Sequence, residues 1–240
     1  MSESEEVAIE ASRDGSAETF QRARRPEQRE VRRQAILDVA EAMLAQDPTS
    51  GISLREISRR VGLATSNVLR YFESREAIFL ELLARESTSW LDALEHELDA
   101  LEPSTGVPAC ERVAGIWAAT LVDRPTLCEL WSVMSSVLER NVSVETVRTF
   151  KRGAIARNQR LADLVARRIP GLRPEAAVEV ASMASAFMAG VWPLANPGPT
   201  VVAATEDPDL LAAHVDFRSR LARMLVLLLS AEILTDPAAA

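Results

Sequence analysis

Apolar residues recur three or four positions apart along most of this chain, and no alternating strand pattern longer than a few residues interrupts them. That period predicts helices. The first is expected over about Glu27–Gln46, with Val31, Ala35, Val39, Ala40 and Met43 as its buried stripe. Asp47–Gly51 reads as a turn. A longer helix is expected from about Ser74 to Leu101, where Ile78, Leu82, Leu83, Trp90, Leu94 and Leu98 keep the helical period. A break at Glu102–Pro108 follows, then helices at roughly 109–122, 126–139, 142–169, 174–195 and 208–232. Pro170-Gly171 stops one of these, and Pro174 suits the first turn of the next. Asn196–Pro208 is the longest internal loop candidate and is expected to be mobile. Residues 1–26 are polar, charged and aperiodic, the signature of a disordered arm.

Between the first and the long helix lies the most informative segment, Ile52–Phe79. Ser53 and Glu56 have the S-x-x-E spacing of a capping box, in which side chains satisfy the free N–H groups of a helix start. Leu54, Ile57 and Val61 form one apolar face, and Gly62 supplies the positive φ of a sharp exit. Thr65–Phe72 follow as a second short helix. Its front is small and polar (Thr65, Ser66, Asn67) and its back carries Val68, Leu69 and Phe72. This is the layout of a helix-turn-helix that offers its second helix to a major groove.

Charge changes the picture only when it is divided along the chain. The net charge of −8 should repel nucleic acid, yet residues 20–85 carry 12 basic and 9 acidic groups. Screening beyond roughly 8 Å at physiological salt lets that local excess decide contact. Arg22, Arg24, Arg25, Arg29, Arg32 and Arg33 cluster around the first helix, and Arg55, Arg59, Arg60, Arg70 and Arg75 surround the motif. Arg22, Arg24 and Arg25 either reach a minor groove or form a solvated charge run. Cys110 and Cys128 lack CxxC spacing and read as reduced core residues of a cytoplasmic protein. The acidic N-terminus does not resemble a secretory signal. Ala176–Ala195 has the length of a membrane span but contains Glu179, Ser182 and Ser185, so no membrane partner is expected.

Residues about 28–83 resemble the DNA-binding head of the tetracycline-repressor family. The likeness rests on RRQAILDVAEAMLA, SLREISRRVGLATSNVLRYF and ESREAIFLELL taken together. The resemblance implies an all-α protein: a three-helix helix-turn-helix head on a larger helical body that binds a ligand and dimerises. The corresponding boundaries are an arm at 1–26, a head at 27–76 and a body at 77–240. It implies a homodimer reading a palindromic double-stranded operator, a repressor released by a small hydrophobic effector. By position it carries DNA contacts onto Ser53, Arg55, Thr65, Ser66, Asn67, Arg70, Tyr71 and Arg75. Leu69 and Arg75 depart from the family's usual Tyr and Lys, which makes Tyr71 the phenol available to a phosphate.

Trp117, Trp131, Met134, Phe150, Met183, Phe187 and Trp192 either line the effector cavity or fill the core. Residues 174–195 and 208–232 are the expected dimer surface. Their facing sets are Ala177, Ala181, Ala184, Ser185, Met188 and Ala189, and Leu211, Val215, Leu221, Leu225 and Leu228. Asp92, His96 and Asp99 share a helix face and read as a solvated stripe or a metal or acid–base group. There is no HExxH, GxSxG, phosphate loop or zinc-spaced Cys/His set, so neither catalysis, metal nor cofactor is expected. The rival reading is a helical protein-interaction module that has lost DNA binding.

Overall fold

The computed structural model describes residues 27–46 and 49–234, and the expected N-terminal arm lies outside them. Ten α-helices are named here. The head comprises α1 (residues 27–44), α2 (Leu54–Val61), α3 (Thr65–Val68) and the start of α4 (Arg75–Asp99). The body adds α5 (Gly106–Val122), α6 (Pro125–Val133), α7 (Val144–Ala166), α8 (Pro174–Ala195), α9 (Pro199–Ala204) and α10 (Phe217–Leu234). Among the described residues there is no strand.

Local chemistry sets the head's boundaries. The Ser53 hydroxyl accepts from the Glu56 N–H at 3.2 Å, and Ser74 caps α4 by accepting from Ala77 N–H at 3.1 Å. Gly62, at φ 74°, ends α2 while the N–H groups of Gly62 and Leu63 donate back to Arg59 and Ser58 carbonyls. The second motif helix is shorter than its sequence pattern: α3 covers four residues, and mixed i−3 and i−4 bonds continue the turn through Phe72.

The stripe expected on α1 holds at Val39, Ala40 and Met43 but fails at its start, at Val31 and Ala35. Ile36, Leu37, Ala40, Met43 and Leu44 are buried, whereas Val31 is 68% exposed and Ala35 faces solvent. Two adjacent apolar pairs, Ile36-Leu37 and Met43-Leu44, outweigh the isolated Val31 in setting the rotation of the helix. The stripe on α4 is as expected, with Ile78, Leu82, Leu83, Trp90, Leu94 and Leu98 all buried.

In the body, α4 packs on α5, α6 and α7, and α8 packs on α6, α7 and α10. The apolar α8 has the length and composition of a membrane-spanning helix, yet it makes these packing contacts on several sides. Asn196–Pro208 is not a plain loop, because Pro199 at its first turn starts α9. The helix expected over 208–232 divides into a 3-10 turn at Pro208–Ala213 and α10.

Much of the two faces expected to meet a second copy is inside the single chain, while Ser185, Ala189, Val215 and Leu228 are half-buried and Leu211 is exposed. Ala177, Ala181, Ala184, Met188, Leu221 and Leu225 are buried there. The apolar surface left uncovered is Met183 and Leu194 on α8 and Leu227 and Leu234 on α10, with Phe187 and Met224 half-buried beside it. A helix that is apolar nearly all round does not reveal in sequence which face goes inward.

Cys110 and Cys128 are buried and unpaired by disulfide. Burial alone pushes the Cys128 thiol up to about 12. Neither thiol should react with an aromatic disulfide reagent at pH 8 in the native protein, and both should react once it is unfolded. Gly62→Ala should lower head stability by about 1–2 kcal/mol, because a Cβ there meets open space but strains the left-handed backbone. The shift of a urea unfolding midpoint checks it.

Candidate nucleic-acid interface and body cavity

Val68 and Phe72 anchor the reading segment by burying its back, which leaves Ser66, Asn67, Leu69 and Arg70 facing outward. Thr65 and Tyr71 are half-buried at its edges. On α2, Ser53 and Arg55 are exposed on the approach to the same surface. Arg29, Arg32, Arg70 and Tyr71 line a groove of about 1060 Å³ between the N-terminal end of α1 and the reading segment. The guanidinium groups of Arg55 and Arg70 form no hydrogen bond or ion pair among the described residues. Those are the groups free to meet phosphates or base edges.

Other arginines that looked equivalent in sequence are structural. Arg33 donates to the Tyr71 carbonyl at 2.7 Å, pairs with Glu81 and lies 4.4 Å from the Phe72 ring. It therefore pins α1 to the end of the reading segment and to α4. Arg85 pairs with Asp38 at 2.7 Å and Glu41 at 2.5 Å, a second tie from α4 to α1. Arg59 and Arg60 are held by Glu56, whose carboxyl is kept below the usual range chiefly by the Arg59 hydrogen bonds. Arg75, the expected phosphate contact, donates inward to the Ile52 carbonyl at 2.6 Å and pairs with buried Glu76 at 2.9 Å. It braces the loop before α2 against the start of α4.

The head also touches the body through side chains at and before the start of α4. Glu73 accepts from the Ser143 N–H at 2.7 Å, which holds its carboxyl below the usual range. The Asn141 amide donates to Glu76 at 3.5 Å, and the Thr49 hydroxyl donates to Glu129 at 3.3 Å. The loop before α7 thus touches the base of the head.

In the body, α4, α6, α7 and α8 line an open-mouthed cavity of about 600 Å³. Of the aromatic and Met candidates, Trp131, Met134 and Phe150 line it. Trp117 instead backs it, its ring 6.2 Å from Trp90, whose indole N–H donates to Thr120 at 3.0 Å. Trp192 packs edge-on against Phe217 at 5.0 Å, while Met183 and Phe187 lie on the outer side of α8. Of the α4 contribution, Leu83 and Trp90 were legible only as part of a buried stripe, and Ser87 and Leu91 were not singled out in the sequence.

Two family models match the chain. Residues 36–82 match bacterial regulatory proteins of the tetR family, and residues 84–230 match the tetracyclin repressor-like C-terminal domain. The chain belongs to the tetracycline-repressor (TetR) family. It is by family a transcriptional regulator, with a DNA-binding helix-turn-helix head and a helical C-terminal body, and not an enzyme. Solved structures agree in fold. A TetR transcriptional regulator from Rhodococcus sp. RHA1 is 18% identical, with 84% of this chain and 97% of that one covered and a TM-score of 0.52. The fatty acid degradation regulator FadR from Bacillus halodurans is 13% identical, covering 81% and 94%, with a TM-score of 0.51. A TetR-family regulator from Mesorhizobium loti MAFF303099 is 15% identical, covering 86% and 96%, also at 0.51. Among curated proteins, none matches the sequence.

Within this TetR frame, Asp92 and Asp99 belong to neither a metal site nor an unpaired stripe. Arg160 bridges Asp92 and Glu95 at 2.7 and 2.6 Å, Arg167 reaches Glu95 at 3.0 Å, and Arg168 pairs with Asp99. The result is an ion-pair ladder from α4 to α7. His96 remains exposed beside it.

The two kinds of arginine separate by experiment. Arg75→Ala should destabilise the protein by about 1–3 kcal/mol, since it strips a charged donor from the Ile52 carbonyl and buried Glu76. Arg70→Ala should leave the melting temperature unchanged and weaken only DNA binding. Thermal unfolding of the two variants side by side checks this.

Proposed function

We propose that this regulator is a homodimeric repressor of a palindromic operator, released when a largely apolar small molecule fills the body cavity. The observation that carries the DNA reading is the outward, polar face of the Thr65–Tyr71 segment flanked by uncommitted Arg55 and Arg70. Asn67, Arg55 and Arg70 read base edges, and Ser53, Thr65, Ser66 and Tyr71 meet phosphates and sugars. Arg75 serves the interface through its brace. The cavity volume, and walls that include Trp90, Trp131 and Met134, suit an apolar effector.

Dimerisation is supported by the uncovered apolar face of α8 and α10. Leu227 alone is 61% exposed. Two copies of this face pack as a four-helix arrangement, with helix pairs crossing near about 20°. That pairing sets the two heads on one side of the DNA.

Retention of sheared genomic DNA at physiological salt, followed by sequencing, tests the operator reading. Enrichment of an inverted repeat is the expected result; no enrichment at any salt concentration would refute it. Asn67→Ala should relax preference at one operator position by about 1–3 kcal/mol, read by competition among single-base variants of the site. Leu227→Glu should give a monomeric mass by light scattering at micromolar concentration, with the wild type dimeric.

A further inference from the structure

Arg157 stands on α7 where two cavities share a wall. It and Phe150 line both the body cavity and a cleft of about 640 Å³ that reaches the head at Tyr71 and Phe72. Arg157 is half-buried, yet no ion pair or hydrogen bond to its guanidinium is present among the described residues. Its one ring contact, to Phe150 at 5.8 Å, offsets little of the cost of partly desolvating a full charge. Burial holds its pKa below the usual value for arginine.

The carboxylates around the cleft are committed elsewhere. Glu73 accepts from Ser143, Glu81 pairs with Arg33, and Glu145 faces Arg148 at 3.6 Å and Arg152 at 3.9 Å. In the body cavity Lys151 is neutralised by Glu139 at 2.5 Å, and the Asn158 amide donates to the Val178 carbonyl. Glu175 and Glu179 stand on the exposed α8 rim and repel negative charge there. One cation is left unanswered, with apolar walls on one side of it.

The chain makes room for that cation. A Cβ at Gly153 would lie 2.9 Å from the Arg157 Nη1, so the guanidinium rests where only glycine leaves space without displacement. A planar guanidinium suits two acceptor oxygens of one anionic group.

We infer that the body cavity takes an amphipathic organic anion, its apolar part against Trp90, Trp131 and Met134 and its single anionic head against Arg157. The inference rests on the effector reading of the cavity and refines it from an apolar ligand to one with one charged end. Glu175 and Glu179 fix the ligand's direction, because an anionic head at the α8 rim would meet like charge. A head at Arg157 also lies at the boundary with the cleft, where binding is felt at Tyr71 and Glu73.

The test uses two fluorescent probes of similar shape, anilinonaphthalene sulfonate and neutral N-phenylnaphthylamine, titrated into the full chain. The sulfonate should bind the wild type, and Arg157→Gln should weaken it by about tenfold or more while changing the neutral probe by less than about twofold. Gly153→Ala keeps the charge but shifts the guanidinium, and should weaken the sulfonate selectively as well. If both probes bind and Arg157→Gln leaves their affinity ratio unchanged, the anion inference is overturned and the effector reading stands. A wild type that binds neither probe overturns both.

Discussion

Helix α4 runs through both the head and the body within a single core. Its first turns bury Ile78, Phe79, Leu82 and Leu83, and its later turns bury Trp90, Leu91, Leu94 and Leu98, all within one continuous apolar cluster that reaches from α1 to α10. Burying a Leu or Phe side chain stabilises by about 1.5–3 kcal/mol, so neither end of α4 can leave its neighbours cheaply. Because α4 is an unbroken helix of 25 residues, it joins the cavity-lining residues directly to the start of the head. The orientation of the reading segment therefore depends on how α4 sits in the body.

Polar contacts refine that geometry without dominating its stability. The α4–α7 ladder is largely solvent-exposed, and such ion pairs contribute about 0.2–1 kcal/mol each. Their use is in register, since Arg160, Arg167 and Arg168 each find acidic partners on α4 at one alignment of the two helices. At the other end, Arg33 and Arg75 convert α1, the reading segment and the α4 start into one body. Head and cavity are then joined by two routes: α4 itself, and the Glu73 and Glu76 contacts to the loop before α7.

What was legible in the sequence was local. The Ser53 cap, the Gly62 exit and the anchoring by Val68 and Phe72 are short-range chemistry and appear in the fold, but Leu69, expected on the same buried back, is exposed. The all-α architecture and the family followed from the same residues. Rotation about a helix axis was less legible. On α1 it depended on Ile36-Leu37 outweighing Val31, and on α8 nearly every face was apolar, so its inward and outward sides were exchanged. The structural arginines were not legible as such, although Arg55 and Arg70 are exposed where the resemblance puts them. Arg33, Arg75, Arg70 and Arg157 differ in which carbonyl, carboxylate or cavity their long side chains reach, and only tertiary packing decides that. For the same reason Trp131, Met134 and Phe150 line the cavity while Trp117 and Trp192 serve as its backing and as core.

On the proposed function, cavity occupancy is transmitted through α4 to the spacing of the two heads of a homodimer. A spin label on Ser66→Cys reports it directly, since Ser66 is exposed on the reading segment and the native cysteines are buried. Electron–electron distance measurements on the dimer, with and without saturating anilinonaphthalene sulfonate, would then give the head-to-head separation. A ligand-dependent shift or narrowing of that distance is the predicted result. An identical distance distribution with the cavity saturated would contradict the account.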